Sequence, residues 1–129
     1  MEPWVRPMYD VFEKSFSMSK MERYIEIAPL GYMRGRTFND TFIIADEMQN
    51  STINQIKMVM TRLGENSKMV ISGDLEQSDL TGKPNGLWDL TERMKTFEGE
   101  FKYIERIKMR SEDIVRHPAV EEILKIYKA

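Results

Sequence analysis

Two short apolar runs, 41–46 and 67–74, bracket one amphipathic stretch, and this alternation limits the fold more than any other feature of the chain. In the first run Phe42, Ile43, Ile44 and Ala45 follow one another without a polar break, and Met69, Val70 and Ile71 do so in the second. Uninterrupted apolar runs predict strands of a sheet covered on both faces, where alternating runs would predict one wet face. Between them STINQIKMVMTRLG (51–64) carries helix punctuation. Thr52 and Gln55 have capping-box spacing, Ile53, Ile56, Met60 and Leu63 share one face, and Gly64 supplies a stop. Parallel neighbours need a crossover of this kind, so the pattern predicts an α/β domain with a largely parallel sheet.

The flanking segments extend that pattern. Tyr9, Phe12 and Phe16 space an aromatic face along a first helix, whose end Ser15 and Ser17 weaken. RYIEIAPL (23–30) reads as a short strand closed by Pro29, and GYMRGRTFND (31–40) as a loop with glycines at 31 and 35. Beyond a loop over 75–86, residues 86–95 read as a helix and FKYIERI (101–107) as a further strand. The tail from His117 reads as a helix, with Pro118 in its first turn and Val120, Ile123, Leu124 and Tyr127 on one stripe. His117 itself suits a helix N-terminal cap or a packing position. All 129 residues fit one domain.

Composition removes several classes of function. The chain has no cysteine and one histidine, which excludes disulfide scaffolds, thiolate metal sites and a multi-histidine centre within one chain. A net charge of −2 gives no whole-molecule attraction to nucleic acid or membrane, so such binding needs a local patch. No apolar run approaches the ~18–20 residues that span a bilayer, and the N-terminus lacks a signal-peptide core, so the expected location is the cytoplasm and no membrane partner is expected. The 11 methionines are scattered, which fits core filling better than copper binding.

Asp46 and Glu47 end the first apolar run. In parallel sheets ligands bind beyond the carboxyl ends of strands, and Ser72, Gly73 and Asp74 would emerge at that same edge. Paired acids there suit magnesium, a hard ion usually held by one or two carboxylates plus phosphate oxygens. The neighbouring glutamate can orient or deprotonate an attacking water, the arrangement of a Walker B element. The plain structural alternative is that Asp46 and Glu47 open a turn and help to cap the next helix. For the second loop, it is an Asp-initiated turn with Gln77 in solvent.

YIEIAPLGYMRGRTFNDTFIIADEMQN, QIKMVMTRLGENSKMVISGDLEQSDL, NGLWDL and DIVRHPAVEEILKIY, in this order, resemble the PhoH family of P-loop ATPases across essentially the whole chain. MRGRTF and VRHPAVE are the more family-specific pieces. The family core is similar to that of superfamily 1 helicases, in which DE-Q and GD--Q are the second and third motifs. The resemblance implies a three-layer P-loop NTPase-type α/β core, incomplete on its N-terminal side. The family's G-x-x-x-x-G-K-[ST] loop is not in this sequence, whose Gly-Lys pair, Gly82–Lys83, runs into Pro84. The expectation is the C-terminal portion of such an ATPase, from a truncated or split reading frame or a cut piece.

Roles follow from the resemblance residue by residue. Asp46 would hold Mg²⁺ through water, with Glu47 beside it as general base. Gln49 and Gln77 would couple the state of the ATP γ-phosphate to movement, with Asp74 fixing the loop. Arg34 and Arg36 would meet phosphate on ATP or on a polynucleotide. Arg62 and Arg116 are candidates for a transition-state arginine, one of them acting across a subunit boundary. Mg²⁺, ATP and RNA are thus the implied ligands, with a homo-oligomer or a separate Walker A-bearing chain as partner. Without the phosphate-cradling loop the chain alone is expected to hydrolyse ATP poorly. Two other classes stay open: a non-catalytic nucleic-acid-binding module built on Arg34, Arg36, Tyr32 and Phe38, and a folded remnant that self-associates.

Overall fold

A computed structural model describes residues 6–76, 85–113 and 115–128. The chain packs as two units, Met1–Thr96 and Phe97–Ala129.

The first unit opens with α1 (Arg6–Phe12), in which Tyr9 is buried, and α2 (Met18–Tyr24). Ser17 caps α2 by accepting a hydrogen bond from Lys20 N, and Met21 is buried against Tyr9, with Met8, Phe12 and Ile25 around them. This corrects the expected strand at 23–30. The Ser17 cap and the burial of Met21 draw Arg23 and Tyr24 into the helix. Ile25 then turns extended, at φ −113° and ψ 122°, but has no ladder partner among the described residues.

β1 (Phe42–Ala45) and β2 (Lys68–Ile71) form the two-stranded sheet, parallel and in register from Phe42–Lys68 to Ala45–Ile71. The crossover is α3 (Ile53–Met60), and its capping box is complete: Thr52 Oγ1 accepts from Gln55 N, and Gln55 Oε1 accepts from Thr52 N. Such a cap contributes about 1 kcal/mol. A helix this short is marginal alone, so the burial of Ile56 and Val59 supplies the rest. With Met33 and Met48 these two make the main core, against which Ala45, Met69 and Ile71 pack from the sheet. α4 (Gly86–Thr96) adds Leu87 and Leu90, and Asn85 Oδ1 caps it by accepting from Leu87 N and Trp88 N.

The sheet is covered on one face, which corrects the expectation of two. Phe42, Ile44 and Val70 point away from the core and are 62%, 47% and 48% exposed, beside Lys68. Among the described residues no layer covers the apolar surface on this side.

The second unit holds a short 3₁₀ turn (Ser111–Asp113) and α5 (Pro118–Lys128). His117 Nδ1 accepts from Ala119 N at 3.1 Å, so His117 does act at the helix N-terminus. The expected strand at 101–107 is not formed. Tyr103, Ile104 and Ile107 are exposed, and a strand persists only where a neighbour completes its ladder. α5 keeps its apolar stripe, but none of its described residues is buried.

Candidate functional site

Both strands deliver their polar termini to one edge, and the backbone joins them there. Ser72 N donates to Ala45 O at 2.9 Å, and Met48 N donates to Ser72 O at 3.0 Å. Asp46 Oδ1 accepts from Ser72 Oγ at 2.5 Å and from Glu47 N at 2.9 Å. One carboxylate oxygen of Asp46 therefore fixes the crossing from β1 to the loop after β2.

Glu47 adopts the left-handed conformation, φ 55° and ψ 38°, which costs a residue with a Cβ about 1–2 kcal/mol. The kink stops β1 and starts a 3₁₀ turn, Met48–Asn50, whose Met48 side chain plugs the core. Strain of this kind at a strand end is held by its surroundings, here by the hydrogen bonds of Asp46, Met48 and Gln49. Gln49 is 1% exposed. Its Nε2 donates to Glu47 Oε2 at 2.5 Å and its Oε1 accepts from Asp74 N at 3.1 Å. Asp74 Oδ1 in turn accepts from Glu76 N at 2.9 Å, closing an Asx-type turn.

Behind this edge Ser51 is buried; its Oγ donates to Met48 O at 2.5 Å, and its carbonyl accepts from Gly86 N at 2.7 Å. Gly86 lets α4 approach closely, because a Cβ there would lie 2.4 Å from Thr52 O.

The carboxylates of Asp46, Glu47 and Asp74 are exposed on one edge, and a cation would relieve their mutual repulsion. Among the described residues no group of three or more acids and histidines gathers as a protein-only metal cage. Magnesium takes few protein ligands and keeps waters or phosphate oxygens. Asp46 and Glu47 offer hard oxygen donors of the right kind.

The arginines lie elsewhere. Phe38 N donates to Arg62 O, Gly64 N donates to Phe38 O, and Phe38 pairs with Leu63, so Arg36 and Arg62 flank the opposite end of the sheet from the acids. α3 runs back along the sheet and carries Arg62 away from Asp46. The guanidinium Nε of Arg62 is buried without a hydrogen-bond partner among the described residues, and its Nη2 donates to Thr61 Oγ1 at 3.3 Å. Arg36 lies over the Phe38 ring at 4.5 Å and binds Glu26 with both terminal nitrogens, at 2.6 and 3.1 Å. Arg34 is exposed in the turn after Met33, beside Tyr32, and has no partner among the described residues. Arg116 is exposed in the second unit, and Gln77 lies outside the described residues.

The Arg36 fork has a pH signature. Its hydrogen bonds, against an opposing desolvation and with some help from its charge, hold the Glu26 carboxyl below the ordinary glutamate range. The folded value thus lies below the unfolded one, so the pair stabilises the fold above the ordinary range, and that contribution is lost as pH falls through the lowered value. Both groups are exposed, which keeps the effect on stability small. In a carboxyl NMR titration Glu26 should have its midpoint below that of unpaired glutamates, and Arg36→Ala should return it to theirs. An unmoved midpoint would show that the fork does not persist in solution.

Reasoning from sequence placed Asp46, Glu47, Ser72, Gly73 and Asp74 at one edge, and the structure brings them together there, with Gln49, named from the resemblance, buried between them. It missed Ser72 as the ligand of Asp46 and Gly86 as the contact behind the turn. A serine beside a strand-end glycine was the available signal for the first; the second depends on a contact between α3 and α4 that no local pattern encodes.

Residues 1–128 match the family described as PhoH-like protein. The chain is 44% identical to a PhoH-like protein of Bacillus subtilis over 132 residues, covering 98% of this chain and 40% of that relative. Identity to a PhoH-like protein of Synechocystis is also 44%, over 98% of this chain and 39% of the relative. Protein PhoH of Escherichia coli is 39% identical over 97% of this chain and 36% of its own length. The chain spans about two-fifths of these relatives. By the match over residues 1–128 it belongs to the PhoH-like family.

Proposed function

We propose that this chain is the Walker B and sensor half of a magnesium-dependent ATPase with a three-layer P-loop core, coupled to RNA. The observation that carries the reading is the joining of Asp46 and Glu47 at the end of β1 to Asp74 at the end of β2 through Ser72 and Gln49. Asp46 would hold Mg²⁺ by its exposed carboxylate, and Glu47 would accept the proton of the attacking water. Bound there, the ion would offset the negative charge of the triphosphate. Gln77 and Arg116 are assigned to γ-phosphate sensing and transition-state charge on family grounds. The open sheet face at Phe42, Ile44 and Val70 supports a missing layer, supplied by a Walker A-bearing polypeptide or by self-association.

Calorimetric titration with ATP, with and without Mg²⁺, tests the reading. The chain alone should bind weakly, since the amides that cradle phosphate are not in it. Adding the polypeptide that precedes the matched region in the Bacillus subtilis relative should restore saturable, Mg²⁺-dependent binding and hydrolysis. No restoration in the mixture, together with no ATP hydrolysis by the intact relative, would overturn the reading.

A second reading rests on Arg34 and Tyr32, which are exposed together, with Tyr32 76% accessible. They suit a nucleic-acid-binding module that stacks bases and pairs phosphates without hydrolysis. RNA binding that needs no nucleotide, weakens with salt and is lost in Arg34→Ala would favour it.

A further inference from the structure

We infer that Gln49 is a positioning residue: its buried amide is a strut between the Glu47 carboxylate and the Gly73–Asp74 backbone, so that displacement of either is felt by the other. The resemblance places Gln49 among groups that respond to the nucleotide, but its surroundings assign it an indirect part. It is 1% exposed, and both ends of its amide are engaged within the protein. A side chain that touches phosphate must present an end to the cleft, and this one presents neither.

The chemistry of the two ends explains the residue type. The carboxylate of Glu47 needs a donor, and the N–H of Asp74 needs an acceptor; a primary amide supplies both from one planar group. Glutamate would set a second carboxylate against Glu47, methionine offers neither function, and asparagine is one methylene too short. Among the described residues Gln49 is the side chain that restrains the Glu47 carboxylate, which is otherwise exposed.

Gly73 gives independent support. A Cβ at that position would lie 2.7 Å from Gln49 Oε1 and 3.0 Å from Gln49 N, so the loop after β2 is bare where the strut passes. The Asp46–Ser72 hydrogen bond joins the same two loops but fixes Asp46. Gln49 therefore links Glu47 to the second loop by a separate route, and a ligand that moves Gly73 or Asp74 also moves Glu47.

The strut can be tested without reference to ATP, whereas its catalytic consequence rests on the function proposed above. In amide-exchange NMR on this chain, Gln49→Met should speed exchange at Asp74 about tenfold, the equivalent of one lost hydrogen bond, while Val59 in the core helix is unaffected. Gln49→Glu sets a carboxylate against Glu47 and should speed exchange at Asp74 as well. Unchanged exchange at Asp74 in Gln49→Met would overturn the strut. Should that variant not fold, Glu47→Ala probes the other end: the Gln49 side-chain amide protons should lose protection, and their retention would overturn it equally. In the Bacillus subtilis relative, both substitutions at the matching position should lower kcat with KM for ATP held. A raised KM at constant kcat would make Gln49 a direct ligand contact and overturn the indirect role. If the parent relative hydrolyses no ATP, the functional reading fails and amide exchange still decides the strut.

Discussion

Glu47→Gln is expected to lower turnover by about 10²–10⁴-fold while Mg·ATP affinity stays within about threefold. The measurement is steady-state ATP hydrolysis by this chain completed with a Walker A-bearing polypeptide, or by the Bacillus subtilis relative carrying the matching change. The substitution isolates one property. Glutamine has the size of glutamate, and its carbonyl oxygen can still accept from Gln49 Nε2, so the local geometry is retained. What disappears is the capacity to take a proton from water. Removing an interaction made only in the transition state lowers kcat without changing substrate affinity. Turnover equal to the parent's would remove Glu47 as the base and leave the strained turn as a structural stop to β1.

Gly86→Ala is expected to destabilise the first unit by about 3 kcal/mol, at the upper end of the usual cost of overpacking. In an exposed helix the same change would stabilise by up to ~1 kcal/mol, because alanine is the better helix former. Here the sign reverses because the new methyl would meet backbone, lying 2.4 Å from Thr52 O and 2.7 Å from Thr52 C. Neither atom is a flexible side-chain end. Relief requires α4 to retreat from the α3 cap, which stretches the Gly86 N–Ser51 O hydrogen bond and loosens the 48–50 turn. Urea unfolding checks the prediction, with Gly31→Ala as control, since a Cβ at Gly31 meets nothing within 4 Å. A midpoint equal to the parent's would mean that the helix contact is looser in solution than the structure has it.

The parts of the molecule that sequence revealed are those governed by neighbours along the chain. The apolar runs of β1 and β2, the Thr52–Gln55 box and the His117–Pro118 start of α5 are all local, and each appears where its pattern lies. The edge that gathers Asp46, Glu47 and Asp74 was also legible, because parallel strands joined by one crossover must end on the same side. The misread segments are those whose state depends on distant partners. Residues 23–30 and 101–107 have strand-like composition, but composition does not supply a ladder. Arg36 and Arg62 take their ligand roles from the resemblance, and in the structure both lie at the end of the sheet away from Asp46 and Glu47, Arg36 before β1 and Arg62 after α3. Burial of Gln49 was invisible for a similar reason: the amide lies inside because Gly73 and α4 close over it.

The uncovered sheet face also bears on how much of this protein a cell can hold. Phe42, Ile44 and Val70 form a flat apolar surface, and among the described residues the outer edges of β1 and β2 are unpaired. Such a surface recruits identical chains as readily as a proper partner, so abundance becomes a hazard in its own right. Lys68, directly opposite Phe42 in the register, is the charged side chain on that face. It acts as a gatekeeper, placing a hydrated ammonium where a second copy would otherwise lie flat. Wherever that face stays bare, pairing between copies competes with native association, and the balance tips with concentration.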